Sequence, residues 1–246
     1  NNINNINIRG GIGRSVVALL ASAEPLWNWN RKTFPFSVPA GSHHHRSLRL
    51  RRASMAAASS SWSFELSPSS LLKIAKGDIT RWSIDSSSDA IVNPANERML
   101  GGGGADGAIH RGAGPELVEA CRKVPEVRPG VRCPTGQARI TPGFKLPASH
   151  VIHTVGPVYH SDPDPPASLS NAYSNSLALA KQHGIRYIAF PAISCGVFGY
   201  PYDEAASVAI STVKEYANDF KEVHFVLFSD EIFDVWYKKA KELLQS

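Results

Sequence analysis

The chain has 246 residues, enough for one substantial domain and an appendage. Its formal charge of +5 is uneven, because eight of the 26 Lys/Arg and only one of the 21 acids, Glu24, lie in residues 1–62, so the rest is slightly acidic. This excludes a basic nucleic-acid surface on the folded part. Cys121, Cys133 and Cys195 offer neither a CxxC pair nor an even set, and no apolar run is long enough to span a bilayer.

Residues 1–62 carry an Asn-rich start, scattered Pro and Gly, the triple histidine His43–His44–His45 and the basic run RSLRLRR. Such a segment cannot bury a core and is expected to be disordered. Being rich in Arg and Ser and poor in acids, it has the composition of an organelle transit peptide, for a plastid or mitochondrion. Met55, opening MAAASSSW, offers the competing expectation that residues 1–54 are untranslated upstream sequence, which would make the protein cytoplasmic or nuclear. The domain division is thus 1–62 and 63–246.

From residue 63 short apolar runs alternate with helical patterns. Residues 71–75, 90–93, 137–141, 151–155, 187–191 and 223–228 are apolar runs bounded by turn residues, the signature of buried strands. Residues 169–183 place Leu169, Ala172, Tyr173, Ser176, Leu177 and Ala180 on one helical face, and Gly184 follows as a stop. Residues 202–220 open with Asp203 and Glu204 against the helix dipole, and 232–244 close with Lys238, Lys239 and Lys241. Alternation of this kind predicts an α/β fold, a three-layer α/β/α sandwich. Strand order is not readable.

Two glycine loops interrupt this pattern. In the first, VNPANERMLGGGGADGAIHRGAG, four glycines let backbone amides approach a ligand closely, and a helix expected near Gly107 favours an anion at its start. Gly102, Gly104 and Gly107 formally satisfy G-x-G-x-x-G, but residues 95–100 intervene after the strand, and Asp106 would repel a pyrophosphate. No Gly-Lys-Ser/Thr follows, which excludes a P-loop. Asp106 is also a natural N-cap, Asn96 a turn residue, and His110 a residue that could simply pack.

The second loop, ISCGVFGYP, also joins a strand to a helix. Neither loop holds Lys or Arg, so any phosphate would be held by backbone amides. Phe198 would pack on a sugar or anchor the loop. Cys195 at a helix start suggests a thiol phosphatase, but proline occupies position 201, where that chemistry wants an arginine. There is no G-x-S-x-G elbow, and the histidines lack metal-ligand spacing.

Six segments in order carry a specific resemblance: GDIT at 77–80, DAIVNPAN at 89–96, LGGGGADGAIHRGAG at 100–114, TGQARIT at 135–141, VIHTVGP at 151–157 and FPAISCGVFGYP at 190–201. Together they resemble the macro domain, in particular the MacroD-type ADP-ribose hydrolases, over residues 71–244. The resemblance implies a mixed central sheet with ADP-ribose over the strand ends. It implies that Asp78 accepts from the adenine amino group beside the Ile79 amide, and that Phe228 stacks on the base. Gly102, Gly103 and Gly104, with Ser194, Cys195, Gly196, Val197 and Phe198, would wrap the diphosphate. Asn96 would bind the distal ribose, against which Phe198 packs. Asp106 would position water with His110 in support.

The implied reaction removes mono-ADP-ribose from Asp or Glu esters on proteins and deacetylates O-acetyl-ADP-ribose, without cofactor or metal. The expected partners are ADP-ribose and ADP-ribosylated proteins, with no nucleic acid, no membrane, and a monomeric state. A non-catalytic reader and an ADP-ribose 1''-phosphate phosphatase are the alternatives. Pro94 and Cys195 depart from the family pattern, which often has alanine and threonine there; Cys195 would act through its amide and make the loop sensitive to oxidation.

Overall fold

The computed structural model describes residues 61–245. The transit-peptide and Met55 alternatives, and His43–His44–His45, lie outside the described residues. The elements run β1 (Ser61–Ser67), β2 (Ser70–Lys76), a 3-10 turn (Ile79–Arg81), β3 (Asp89–Pro94), α1 (Gly104–Ala113), α2 (Pro115–Lys123), β4 (Ala138–Pro142), β5 (His150–Thr154), α3 (Pro165–Gln182), β6 (Tyr187–Phe190), α4 (Tyr202–Glu215), β7 (Glu222–Leu227) and α5 (Asp230–Leu244). The seven strands form one sheet in the order β1-β2-β7-β6-β3-β5-β4. The five inner strands are parallel, and β1 and β4 close the edges in antiparallel pairing.

Both faces of β3, β5, β6 and β7 are buried, and β2 buries one face fully and the other in part, so alternate residues feed two cores. Leu72, Ile74, Ala90, Val92, Ile152, Ile188, Phe190 and Phe225 point to one core, closed by α3, α4 and α5 through Tyr173, Leu177, Ala209 and Trp236. Ile91, Val151, Ala189 and Val226 point the other way, toward Ile109 and Ala113 of α1 and Leu117 and Cys121 of α2. The expected three-layer α/β/α sandwich with a mixed sheet is what forms. The helix starts follow local chemistry: Asp164 accepts from the Ala167 amide to cap α3, and Ser229 from the Ile232 amide to cap α5.

The structure departs from the sequence expectations in four places. Ser61 and Trp62 belong to β1, whose ladder to β2 pairs Ser61 with Ala75 and Trp62 with Ile74, so the boundary at 62/63 cuts a strand. Helix α2 has too short an apolar stripe to stand out in the sequence pattern, although Gly114 followed by Pro115 is a helix-start signal. The α4 helix ends at Glu215, several residues before 220. Finally, α1 begins at Gly104 with Gly103 as its N-cap, so Asp106 sits in the first turn and caps nothing.

Candidate functional site

Strands β2, β7, β6 and β3 are consecutive and parallel, so their carboxyl ends lie in a row at one edge of the sheet. Three strand spacings make that row about 14 Å long. Every residue singled out above emerges from it: Asp78 after β2, Phe228 after β7, the 194–198 loop after β6, and Asn96 with the glycine loop after β3. This is where open α/β sheets bind ligands.

At the β2/β7 end, the Gly77 amide donates to the Leu227 carbonyl at 2.9 Å, which sets Asp78 beside Phe228. Asp78 Oδ1 accepts from the Thr80 amide (2.9 Å) and hydroxyl (2.7 Å), leaving Oδ2 with only Arg81 Nε, at 3.8 Å, among the described residues. The Phe228 ring is 85% exposed, an unusual position for a phenylalanine and one that contributes nothing to the core.

In the second loop Ser194 takes φ +65° and is buried. A Cβ on Gly156 would collide with Ser194 Oγ and Ile193, so that glycine lets the segment after β5 pack against the second loop. The Cys195 amide donates to Ala192 O (3.3 Å) and the Tyr200 amide to Ser194 O (3.0 Å), while the amides of Gly196, Val197 and Phe198 find no acceptor among the described residues. Three free amides in a row suit an anion. Cys195 departs from expectation in that its amide is already engaged; its thiol is buried, and desolvation pushes it up to about 12.

The first loop offers the Gly104, Ala105 and Asp106 amides, the unsatisfied first turn of α1. Helix and loop touch closely: a Cβ on Gly107 would lie 2.5 Å from the Gly102 carbonyl. Asn96 keeps its turn role, accepting from the Arg98 amide (3.1 Å) and donating to Gly101 O (3.1 Å). A Cβ on Gly102 would stand 3.3 Å from Asn96 Nδ2 and 2.9 Å from Asp106 Oδ2, so the two side chains flank that glycine.

Asp106 itself is 5% exposed. Its Oδ1 accepts from Asn93 Nδ2 at 2.8 Å, and His110 Nε2 lies 3.4 Å away without hydrogen-bond geometry. Its Oδ2 has no partner among the described residues and faces the space beside Gly102. Burial pushes the carboxyl above its usual range, against the Asn93 hydrogen bond and the charge of His110.

Two residues not singled out from sequence complete this cluster. Asn93 is fully buried in β3, and its register partner His153 is fully buried in β5. Asn93 Nδ2 lies 3.1 Å from His153 Nδ1, and His153 Nε2 lies 2.9 Å from Thr141 Oγ1 of β4. A strongly polar residue inside an apolar strand was the available signal, since such groups are buried only with partners. The fold also gathers three metal-type donors, His110, Cys121 and His153, within 4.8 Å of one another despite their spacing in sequence. His153 spends both ring nitrogens on hydrogen bonds to Asn93 and Thr141, burial pushes the Cys121 thiol up to about 12, and His110 Nε2 has no hydrogen-bond partner among the described residues.

A family model described as "Macro domain" matches residues 92–209. A macro domain-containing protein of Xanthomonas campestris is 53% identical over 154 residues, which is 61% of this chain and 82% of that protein. The ADP-ribose glycohydrolase MACROD2 of Xenopus laevis is 46% identical over 173 residues, 68% of this chain but 39% of the relative. Among solved structures, the Oceanobacillus iheyensis macrodomain with ADP superposes with a TM-score of 0.70 at 42% identity, covering 76% of this chain and 97% of its own. The Trypanosoma brucei macrodomain in complex with ADP-ribose gives 0.59 at 37% identity, covering 68% of each chain.

Proposed function

The chain belongs to the macro domain family, and from that premise we propose that it binds ADP-ribose and hydrolyses the ester linking it to Asp or Glu side chains of proteins. An acetyl ester on the anomeric oxygen of the distal ribose presents the same bond to the same carboxylate, with acetate as the leaving group, so O-acetyl-ADP-ribose acylated there is proposed as a second substrate. The adenine takes the β2/β7 end, between Phe228 and the Asp78 carboxylate with the Ile79 amide. The diphosphate lies against the free amides of the two glycine loops, and the distal ribose reaches Asn96 and Phe198 at the β3 end.

The reaction needs a water held at the anomeric carbon. That water attacks the carbon while the bond to the acyl oxygen breaks, its electron pair leaving on the released carboxylate. Asp106 takes the water proton, alone or shared with a substrate phosphate. No metal ion takes part in this scheme. A carboxylate with a raised pKa is a better base near neutrality than an ordinary surface one.

The observation that carries the reading is the asymmetry of Asp106. One oxygen is anchored by Asn93, and the other, beside Gly102 and the unused amides of the first turn of α1, has no partner among the described residues. A carboxylate that served only the helix would cap it, and this one does not. Its burial is costly for the fold and finds its reason in chemistry.

The test is release of ADP-ribose from a glutamate-modified protein by the full chain, compared with Asp106→Ala, with and without a chelator. The expected result is a loss of about 10²–10⁴-fold in the variant, unchanged ADP-ribose affinity by calorimetry, and no effect of chelation. A parent that binds ADP-ribose and releases none is a reader, and turnover confined to ADP-ribose 1''-phosphate makes it a phosphatase.

A further inference from the structure

Beneath α1 the sheet carries a row of polar side chains that the scheme above does not use. Asn93, His153 and Thr141 come from three adjacent strands, on the face that α1 and α2 cover. His153 is fully buried, and desolvation, helped by the nearby charge of His110, pulls its pKa down to about 3. It is therefore a neutral ring with one donor and one acceptor.

The network fixes which nitrogen is which. The Asn93 Nδ2 amide group can only donate, and it lies 3.1 Å from His153 Nδ1, so Nδ1 is the acceptor. The ring proton is then on Nε2, directed at Thr141 Oγ1 at 2.9 Å. Both Asn93 Nδ2 hydrogens are used, one on His153 and one on Asp106 Oδ1 at 2.8 Å. Asn93 Oδ1 has no partner among the described residues, so nothing on its oxygen side opposes a flip of the amide. His153 Nδ1 is the neutral restraint on that amide, and the Asp106 carboxylate is the charged one.

We propose that His153 is a positioning residue for the hydrolytic step: its bare Nδ1 locks the Asn93 amide, which holds Asp106 Oδ1 so that Oδ2 faces the attacking water. This rests on the hydrolase reading. Thr141 Oγ1 accepts the ring proton on Nε2, but a hydroxyl serves either tautomer, so the tautomer is set by Asn93. Were that proton on Nδ1, it would demand the oxygen of Asn93, turning the amide nitrogen away from the catalytic carboxylate. The other groups facing Asp106 are His110 from its own helix and Cys121 from α2. Arg132, paired with Glu126 at 3.0 Å, acts on Cys121 from further out.

The test compares His153→Phe, which cannot accept, with His153→Asn, whose carbonyl oxygen lies near the lost Nδ1. For His153→Phe the expected kcat falls about 10–100-fold, the cost of a misplaced catalytic group, with the ADP-ribose Kd within a factor of about two of the parent. Asp106 loses a donor that favours its charged form, so the acid limb of the pH–rate profile moves to higher pH. His153→Asn restores most of the rate and the limb. Equal rates in all three proteins overturn the proposal, as does an equal loss in both variants with the acid limb unmoved, the mark of a merely structural residue. A carbon-13 titration of the Asp106 carboxyl in the same proteins follows the link without turnover. If the parent hydrolyses nothing yet that titration moves in His153→Phe and returns in His153→Asn, the hydrolase reading fails and the positioning link stands.

Discussion

At the scale of single residues, the proposed role of Asp106 sets function against stability. Its carboxyl is pushed up by burial, so the folded state prefers the protonated form. Such a group stabilises fully only below its unfolded pKa, and that contribution is lost as pH rises through the folded value. At pH 7 the charge is therefore a cost that Asp106→Asn removes. The expected result is a variant without turnover whose Tm at pH 7 rises by roughly 2–4 °C, about 1 kcal/mol in a domain of this size, with the gap closing near pH 3.5. A lower Tm in the variant would show that the Asn93 hydrogen bond outweighs desolvation. Phe228 is the opposite case, a ring that the fold does not use. Phe228→Ala should leave Tm unchanged and weaken ADP-ribose binding by about 1–3 kcal/mol, the worth of stacking on a base, as calorimetry would report.

Among the elements, the junction of the glycine loop with α1 decides what may be substituted. Gly107 has the Gly102 carbonyl 2.5 Å from where its Cβ would be, whereas Gly103 has no atom within 4 Å. Gly107→Ala must therefore push the loop away, at about 1–3 kcal/mol in urea denaturation, and disturb the space between Asp106 and Asn96. Gly103→Glu should fold with parental stability and bind no ADP-ribose, because bulk and negative charge project into the open cleft. If Gly103→Glu binds normally, the diphosphate does not lie there. The loop before β3 is pinned in another way. Burial pushes the Asp89 carboxyl up, but donors from Ser149, Ile84, Ser83 and Ser86 together hold it below its usual range. Hydrogen bonds to a charged acceptor are the strong kind, which is how a buried carboxylate can begin a central strand.

For the whole molecule, acid stability should show two opposed titrations. His153 is held near 3 against an unfolded value near 6.5, so between those limits the unfolded chain binds the extra proton and stability falls on acidification. His150 and His224, both lowered chiefly by burial, act in the same direction. Asp106, with its raised value, acts oppositely over the window just above its unfolded pKa. Removing Asp106 by Asn should therefore steepen the loss of stability between pH 6.5 and 3.5, and adding His153→Phe should flatten it by up to about 1.4 kcal/mol per pH unit. Urea midpoints across that range would measure both, and parallel curves would refute the assignment.

How much of this was legible in the sequence follows from the range of each interaction. The six apolar runs, the three long helices and the two glycine loops were readable because burial on both faces and helical periodicity are written in consecutive residues. The six ordered segments added the family and the cleft. Strand β1 escaped because an edge strand with one exposed face has no continuous apolar run, and α2 because nine residues carry too short a stripe. Asp106 looked like a cap, since the four glycines gave no hint of where the helix would begin. What the sequence alone determined was the layered architecture and the two glycine loops that the proposed function places at the ligand. Only the tertiary structure decided that β3 lies between β5 and β6, that Asn93 therefore meets His153 across sixty residues, and that one oxygen of Asp106 is held while the other has no partner among the described residues. These are contacts between strands whose order no local pattern encodes.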